Sequence, residues 1–178
     1  NLFYGLSLGS VLLLAALGLA ITFGLMGVIN MAHGEMLMIG AYTTYVVQNL
    51  FEEYMPGLFD WYLIAAIPSA FLVSATVGII LERCIIRYLY GRPLETLLAT
   101  WGISLLLIQS VRLTFGAQNV EVANPSYLSG GIEVFQGVVL PYSRIAIIIF
   151  VIFVVTAIWG LLQKTSLGLQ VRAVTQNR

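Results

Sequence analysis

The sequence predicts an all-α protein, a polytopic bundle of transmembrane helices with about five membrane spans. Three observations support this: 60% of the 178 residues are apolar, only 9% are charged, and the mean hydropathy is +0.96. A soluble domain carries about a quarter charged residues, so this composition excludes a water-soluble enzyme. The eight Lys and Arg residues are balanced by eight Asp and Glu, which excludes the dense basic surface that nucleic-acid binding needs.

The first two apolar runs are separated by one short polar segment. Leu2 to Ile29 contains no charged residue, and Met36 to Phe51 follows after six residues. A helix needs about 20 residues to cross a hydrocarbon core of about 30 Å. The first run exceeds this length, and the second approaches it, so both are predicted to be spans.

Charged or helix-starting residues bound the other three runs. Trp61 to Leu81 and Ile145 to Leu162 are both close to the length of a span. Thr96 to Val111 is shorter, but Pro93 and Glu95 before it are typical of a first helical turn. The fifth run is apolar on every side, which favours a helix over the alternating strand of a barrel.

The basic residues predict how the spans are oriented. Six of the eight lie in two connections, one after the third run and one after the fifth. Both connections are predicted to be cytoplasmic by the positive-inside rule, which places the N-terminus outside. The long connection 116–142 is then external, and we expect part of it to form a short surface helix or hairpin. The basic residues concerned are Arg83, Arg87, Arg92, Lys164, Arg172 and Arg178.

The polar segment from Asn30 to Glu35 contains the only histidine of the chain, His33. One interpretation is a tight cytoplasmic turn, in which Asn30 ends a helix in the left-handed conformation and Glu35 starts the next. The other is a helix break within the membrane, where polar groups line a solute path. Under the second interpretation, the candidate pathway residues are Asn30, His33, Gly34 and Glu35.

A polar stripe follows one face of the fourth run. Thr96, Thr100 and Ser104 recur at intervals of four residues, and Gln109 departs from that face. Such a stripe either joins helices or lines a pore, and both uses predict that it faces protein and not lipid. Thr96 and Thr100 are therefore added to the candidate pathway residues.

The segment Gly5-Leu6-Ser7-Leu8-Gly9 matches the nucleophile-elbow pattern of serine hydrolases. That motif needs a strand, a turn and a helix with a distant acid and histidine, whereas here it lies in an apolar helix. We interpret Gly5 and Gly9 as a helix-packing face, like Ala66 with Ala70 and Ser74 with Gly78. An intramembrane enzyme is therefore not predicted, and one His with one Cys does not make a metal site.

Residues 163–178 form a predicted cytoplasmic segment of a different kind. Leu167, Val171 and Val174 share one helical face, with Arg172 and Gln176 elsewhere. Such a helix either lies on the membrane surface or docks into a partner protein. Its low basic content favours the partner.

Three blocks of the sequence resemble a known family. GLAITFGLMGVINMAHGEMLMIG at 18–40, LETLLATWGISLLLIQ at 94–109 and GLQVRAVTQNR at 168–178 are similar to blocks of the branched-chain amino-acid permeases of ABC importers, the LivH type. Within that family, NVEVANPSYLSGG at 119–131 and AVTQNR at 173–178 most resemble the urea permeases, the UrtB type.

The resemblance implies a single transmembrane permease domain over residues 1–178, the N-terminal part of a longer permease in the bacterial inner membrane. It implies inward transport of urea or, alternatively, of branched-chain amino acids. The implied partners are a second permease subunit of the LivM or UrtC type, two ATP-binding subunits and an extracytoplasmic solute-binding protein. By position, Gly168, Arg172 and Ala173 match the cytoplasmic loop that couples such permeases to the ATPase.

The residues agree with a transporter subunit that binds no ATP itself. The chain contains no Gly-x-x-x-x-Gly-Lys-Ser/Thr, and Lys164 is its only lysine. No cofactor is predicted, and ATP is expected to bind the partner subunits. The competing class is a passive channel or secondary transporter, which needs neither a docking tail nor an ATPase.

Overall fold

The computed structural model describes residues 2–135, 138–164, 166 and 173. Within these residues the chain forms five long helices, one at each predicted run, so the helical fold class is confirmed. Each helix differs from its run by a few residues at either end. They are α1 (Leu2–Met26), α2 (His33–Tyr54), α3 (Tyr62–Cys84), α4 (Pro93–Phe115) and α5 (Tyr142–Lys164).

The chain divides into two compact units. One consists of residues 1–26 and 126–178, and the other of residues 27–125. The first therefore contains α1 and α5, and the second contains α2, α3 and α4. The single permease domain over residues 1–178 stays a prediction.

In the first unit, α1 packs on α5, and the first turns of the two helices lie together. The Arg144 guanidinium lies 5.5 Å from the centroid of the Tyr4 ring, which brings the starts of the two helices to the same end. This agrees with the predicted orientation, in which both helices begin outside. At Gly5 and Gly9, a Cβ would have no neighbour within 4 Å, so the described residues do not use the predicted packing face.

The connection before α5 contains both predicted surface elements. A 3-10 helix spans Ser126–Leu128, and strands β1 (Gly131–Phe135) and β2 (Val138–Pro141) form an antiparallel hairpin. Gly131 opposes Pro141 in the register, and a Cβ at Gly131 would lie 2.5 Å from the Leu140 carbonyl oxygen. The close approach of the two strands therefore requires glycine at that position.

In the second unit, α2 and α3 form an antiparallel pair joined by a 3-10 helix over Pro56–Trp61. Of the small residues that the sequence predicts as a packing face on α3, Ala66 is fully buried, whereas a Cβ at Gly78 would have no neighbour within 4 Å. The Ser74 hydroxyl donates to the Met36 carbonyl over 3.3 Å, and a Cβ at Gly40 would lie 3.5 Å from the same hydroxyl oxygen.

Two polar side chains hold the loop after α4 against this helix pair. The Ala123 N–H donates to Gln48 Oε1 over 2.8 Å, and the Tyr62 hydroxyl donates to the Ala123 carbonyl. Gln48 and Tyr62 are both buried, as is Pro125 two residues further along the loop. The loop is therefore attached through its backbone to the C-terminal part of α2 and the first residue of α3.

Replacing Gln48 with leucine and Tyr62 with phenylalanine is expected to release this loop. Each lost hydrogen bond is worth about 0.5–1.5 kcal/mol, so the double variant should be cut after the exposed Glu121 about tenfold faster. A glutamate-specific protease added outside right-side-out vesicles measures this rate. Asn49→Leu, at an exposed neighbour on α2, is the control, and an unchanged rate in the double variant would contradict the anchor.

Four helices of the described residues, rather than the expected five, are long and apolar enough to cross a membrane. They are α1, α4, α5 and the stretch Pro56–Cys84 that contains α3. The exception is α2, which has His33 and Glu35 at its start and Glu52 and Glu53 at its end. Gln48 and Asn49 lower its hydropathy further. The polar start of α2 has a physical reason, because its first turn contacts a polar group of α4.

Candidate functional site

The break between α1 and α2 begins at a glycine. Gly27 has a φ of 63°, whereas no residue other than glycine has a positive φ among the described residues. The expectation that Asn30 ends the helix in the left-handed conformation is therefore wrong. Gly27 takes that role because it lacks the Cβ that penalises this conformation.

Asn30 instead helps to begin α2. Its side-chain Oδ1 accepts a hydrogen bond from the Ala32 N–H over 3.0 Å, and its carbonyl accepts one from the His33 N–H over 3.3 Å. This local turn is the usual way in which an asparagine organises a chain just before a helix. Asn30 thus bonds to the backbone N–H groups two and three residues further along the chain.

Two hydrogen bonds show where along α4 the first turn of α2 lies. The Met31 N–H donates to Thr100 Oγ1 over 3.2 Å, and the Ser104 hydroxyl donates to Glu35 Oε1 over 2.6 Å. At 1.5 Å per residue, Thr100 lies about 10 Å from the first residue of α4 and Ser104 near its middle. The first turn of α2 therefore lies beside the middle of a membrane-spanning helix.

A contact with α3 independently places the first turns of α2 beside the middle of a neighbouring helix. Met36 accepts its hydrogen bond from Ser74, which lies near the middle of Tyr62–Cys84. The geometry thus favours a helix break within the membrane over a cytoplasmic turn. α2, whose first turn is polar, lacks the long apolar window of a full span.

The polar stripe of α4 faces protein, as predicted. Thr96 and Thr100 are 0% and 1% exposed and Ser104 is also buried, whereas Gln109 is exposed. The Thr96 hydroxyl is bonded to the Leu89 and Arg92 carbonyls at the start of α4. Thr96 therefore holds the turn that precedes α4.

Thr100 is the residue that joins α4 to the break. Its hydroxyl donates to the carbonyl of Thr96, at 2.8 Å, or of Leu97, at 3.0 Å, and accepts the Met31 N–H. One hydroxyl offers one hydrogen and two lone pairs, so its donor and one lone pair are committed to backbone. Thr100 therefore contacts the break directly through Met31. Its place on the solute path stays a prediction.

Glu35 is the candidate residue that keeps unused bonding capacity. Its Oε2 is buried without a hydrogen-bond partner in the described structure, and its Oε1 accepts from Ser104. Gly34 beside it is exposed, with open space where a Cβ would stand, and His33 is half-buried. The role of all three in transport is a prediction that the structure does not test.

Ser104 is the site residue that the candidate set omits. The signal for it is the interval of four residues from Thr100 on the same buried face. Its partner Glu35 is 69 positions away, so spacing alone does not show the contact. No group of three or more His, Cys, Asp or Glu side chains lies together in the described residues.

Two of the three predicted ATPase-coupling residues lie outside the residues that the structure describes. Gly168 and Arg172 lie outside the described residues, and Ala173 is described as a helical, exposed residue. Their role therefore stays a prediction drawn from the resemblance.

Comparisons with known proteins give one consistent result. Residues 1–178 match the family described as branched-chain amino acid transport system / permease component. The chain is 30% identical over 178 residues to the high-affinity branched-chain amino acid transport system permease protein BraD of Pseudomonas aeruginosa. It is 34% identical over 133 residues to the high-affinity branched-chain amino acid transport system permease protein LivH of Escherichia coli K12 and of Salmonella typhimurium.

These matches cover most of the chain but only part of the relatives. The BraD alignment includes 97% of the chain and 57% of BraD, and the LivH alignments include 73% of the chain and 42% of LivH. The chain therefore spans about half the length of the curated relatives it matches. No solved structure matches it significantly.

Proposed function

Because the chain belongs to the family of branched-chain amino acid transport permease components, we propose that it is a membrane subunit of an importer for branched-chain amino acids. The match over residues 1–178 is the observation that carries this proposal. Relatives of this family are membrane subunits and not enzymes, so ATP is hydrolysed by separate chains.

The geometry supports a role in transport. A helix that begins at the middle of its neighbours brings polar groups to the level where a solute must be handed across. Here Glu35 and Ser104 meet at that level, with Met31 bonded to Thr100 beside them. Polar groups at this depth are expensive in lipid and mark solute paths.

The relatives favour branched-chain amino acids over urea as the substrate. The resemblance around residues 119–131 and 173–178 favours urea, whereas BraD and LivH carry branched-chain amino acids in their names. The aligned relatives cover far more of the chain than those two short blocks. We therefore assign branched-chain amino acids as the substrate and retain urea as the competing outcome of the test.

The proposal includes the partners that such an importer needs. A motor that closes on ATP moves a membrane subunit only through a rigid contact, and residues 163–178 are the proposed contact. A second permease subunit, two ATP-binding subunits and an extracytoplasmic solute-binding protein complete the importer. Its location is the bacterial inner membrane, as for the bacterial relatives.

Uptake by the complete importer tests this proposal. The full-length permease, expressed with its partners in cells lacking other leucine and urea importers, should accumulate radiolabelled leucine, isoleucine and valine. Excess unlabelled urea should leave leucine uptake unchanged. Accumulation of urea without leucine would reverse the substrate assignment, and uptake by the permease without an ATPase would support the channel class.

A further inference from the structure

We propose that the groove between α2 and α4 is a binding site for a branched-chain amino acid. In this site, Glu35 binds the ammonium group, and an apolar cavity that begins at Ile39, one helical turn further along α2, takes the branched side chain. The inference rests on the proposed function and deepens it, because it assigns the two recognised parts of the solute to named residues.

The first part of the site is the Glu35 carboxyl group. Ser104 satisfies Oε1, whereas Oε2 is buried and has no partner in the described residues. A carboxylate at membrane depth is costly unless a cation or several donors satisfy it. The unused oxygen is therefore matched to a donor that comes from outside the described chain, and an ammonium group supplies both charge and hydrogens.

The second part is an apolar cavity of about 280 Å³ formed by α2, α3 and α4. The rings of Tyr42 and Phe115 close on each other at its wall, with their centroids 4.7 Å apart. Aliphatic side chains dominate the rest of the lining, which favours an aliphatic occupant. The lining includes Ile39, Tyr42 and Val46 of α2, Val73 of α3, and Val111 and Phe115 of α4.

The helical register connects the two parts. Ile39 follows Glu35 by one turn on α2, and Val111 follows Ser104 by two turns on α4. One turn advances about 5–6 Å along the helix, which is close to the length of leucine from its ammonium nitrogen to its methyl groups. A single molecule can therefore bond Glu35 and fill the near end of the cavity.

The combination discriminates between the candidate solutes. Leucine, isoleucine and valine each carry one ammonium group and one branched aliphatic chain, which match a carboxylate beside an apolar cavity. Urea has no charge to pair with Glu35 and no apolar group to bury. The groove therefore favours a branched-chain amino acid over urea.

Glu35→Gln in the complete importer is the first test. The substitution keeps the shape but removes the charge, so leucine uptake should fall about tenfold or more. Glu53→Gln, an exposed acid near the end of the same helix, is the matched control and should transport normally. The amount of assembled importer in the membrane is measured for each variant, so that the rate is expressed per complex.

Protection of an engineered thiol is the second test and needs no transport. Cys84 is the only cysteine of these 178 residues and is exposed, so Cys84→Ser removes it, and labelling is read on the peptide that contains Ile39→Cys. In the purified full-length complex, leucine should slow maleimide labelling of the Ile39→Cys chain about tenfold. The probe 4-methylpentanoate, which lacks the ammonium group, should not slow it. Leu37→Cys, on the exposed side of α2, should label equally with and without leucine.

The outcomes separate this inference from the proposed function. If the wild-type importer carries leucine, while Glu35→Gln carries it at an unchanged rate and leucine does not protect Ile39→Cys, the site is overturned and the proposed function stands. If the wild type carries no branched-chain amino acid, both are overturned. If Glu35→Gln fails to assemble, the labelling result alone decides, and an Ile39→Cys chain that never reacts also counts against an open cavity.

Discussion

A Thr100→Val permease is expected to lose most of its uptake and about 1–3 kcal/mol of its stability. Valine matches threonine in shape but offers no acceptor, so the Met31 N–H loses its bond to the Thr100 side chain, which is itself 1% exposed. An unsatisfied amide at this depth has no water to bond to. The first turn of α2 should therefore shift away from α4, and Glu35 should lose its alignment with Ser104.

Thr100→Ser is the matched control, because it keeps the hydroxyl and removes only a methyl group. Thermal unfolding of the full-length permease in detergent measures the stability, and leucine uptake by the complete importer measures the function. If valine and serine variants were equally stable and active, the bond between Met31 and Thr100 would not hold the break.

Replacing Gly168 with valine and Arg172 with glutamate is expected to uncouple ATP hydrolysis from uptake. The expected loss of uptake is about 5- to 150-fold, the range of a typical coupling free energy. Hydrolysis by the ATP-binding subunits and solute binding by the external protein should continue, because neither uses these residues. Leucine uptake and phosphate release by the same reconstituted importer provide the comparison.

Arg87→Gln is the control for this variant, because Arg87 is an exposed basic residue in the other connection that is predicted to be cytoplasmic. It should leave the ratio of uptake to hydrolysis unchanged. Labelling that places residues 167–178 on the extracytoplasmic face would contradict the coupling assignment, as would normal uptake by the double variant.

The helices are predictable from the sequence because each depends on local composition. Residues 145–155 are apolar on every side, and α5 forms there. Pro93 and Glu95 mark the first turn of α4, which begins at Pro93. In a membrane the backbone must satisfy its own hydrogen bonds, so a long apolar run leaves few alternatives to a helix.

The level at which α2 begins is not predictable in the same way. The segment 30–35 is polar under either interpretation, and the contacts that decide between them connect residues 69 positions apart. One of these contacts uses the backbone N–H of Met31, which every residue except proline possesses. The sequence therefore carries no signal for it, although the buried stripe on α4 indicates that some polar partner must exist.

The anchoring of the loop after α4 is not predictable from the sequence either. Gln48 and Tyr62 both bond to the backbone of Ala123, and an alanine gives no indication that its main chain is recognised. A glutamine within a helix that packs on another helix is the available signal, since a buried amide requires a partner. The identity of that partner emerges only once α2, α3 and the loop are placed together.

The shortage of apolar residues in α2 has a consequence for how the protein is made. A segment with His33 and Glu35 at one end and Gln48, Glu52 and Glu53 towards the other is a poor candidate for insertion by the translocon as an isolated helix. Its close pairing with the strongly apolar α3, through the short Pro56–Trp61 link, offers a remedy. The two helices are expected to enter the bilayer together as a helical hairpin, with α3 supplying the hydrophobicity that α2 lacks.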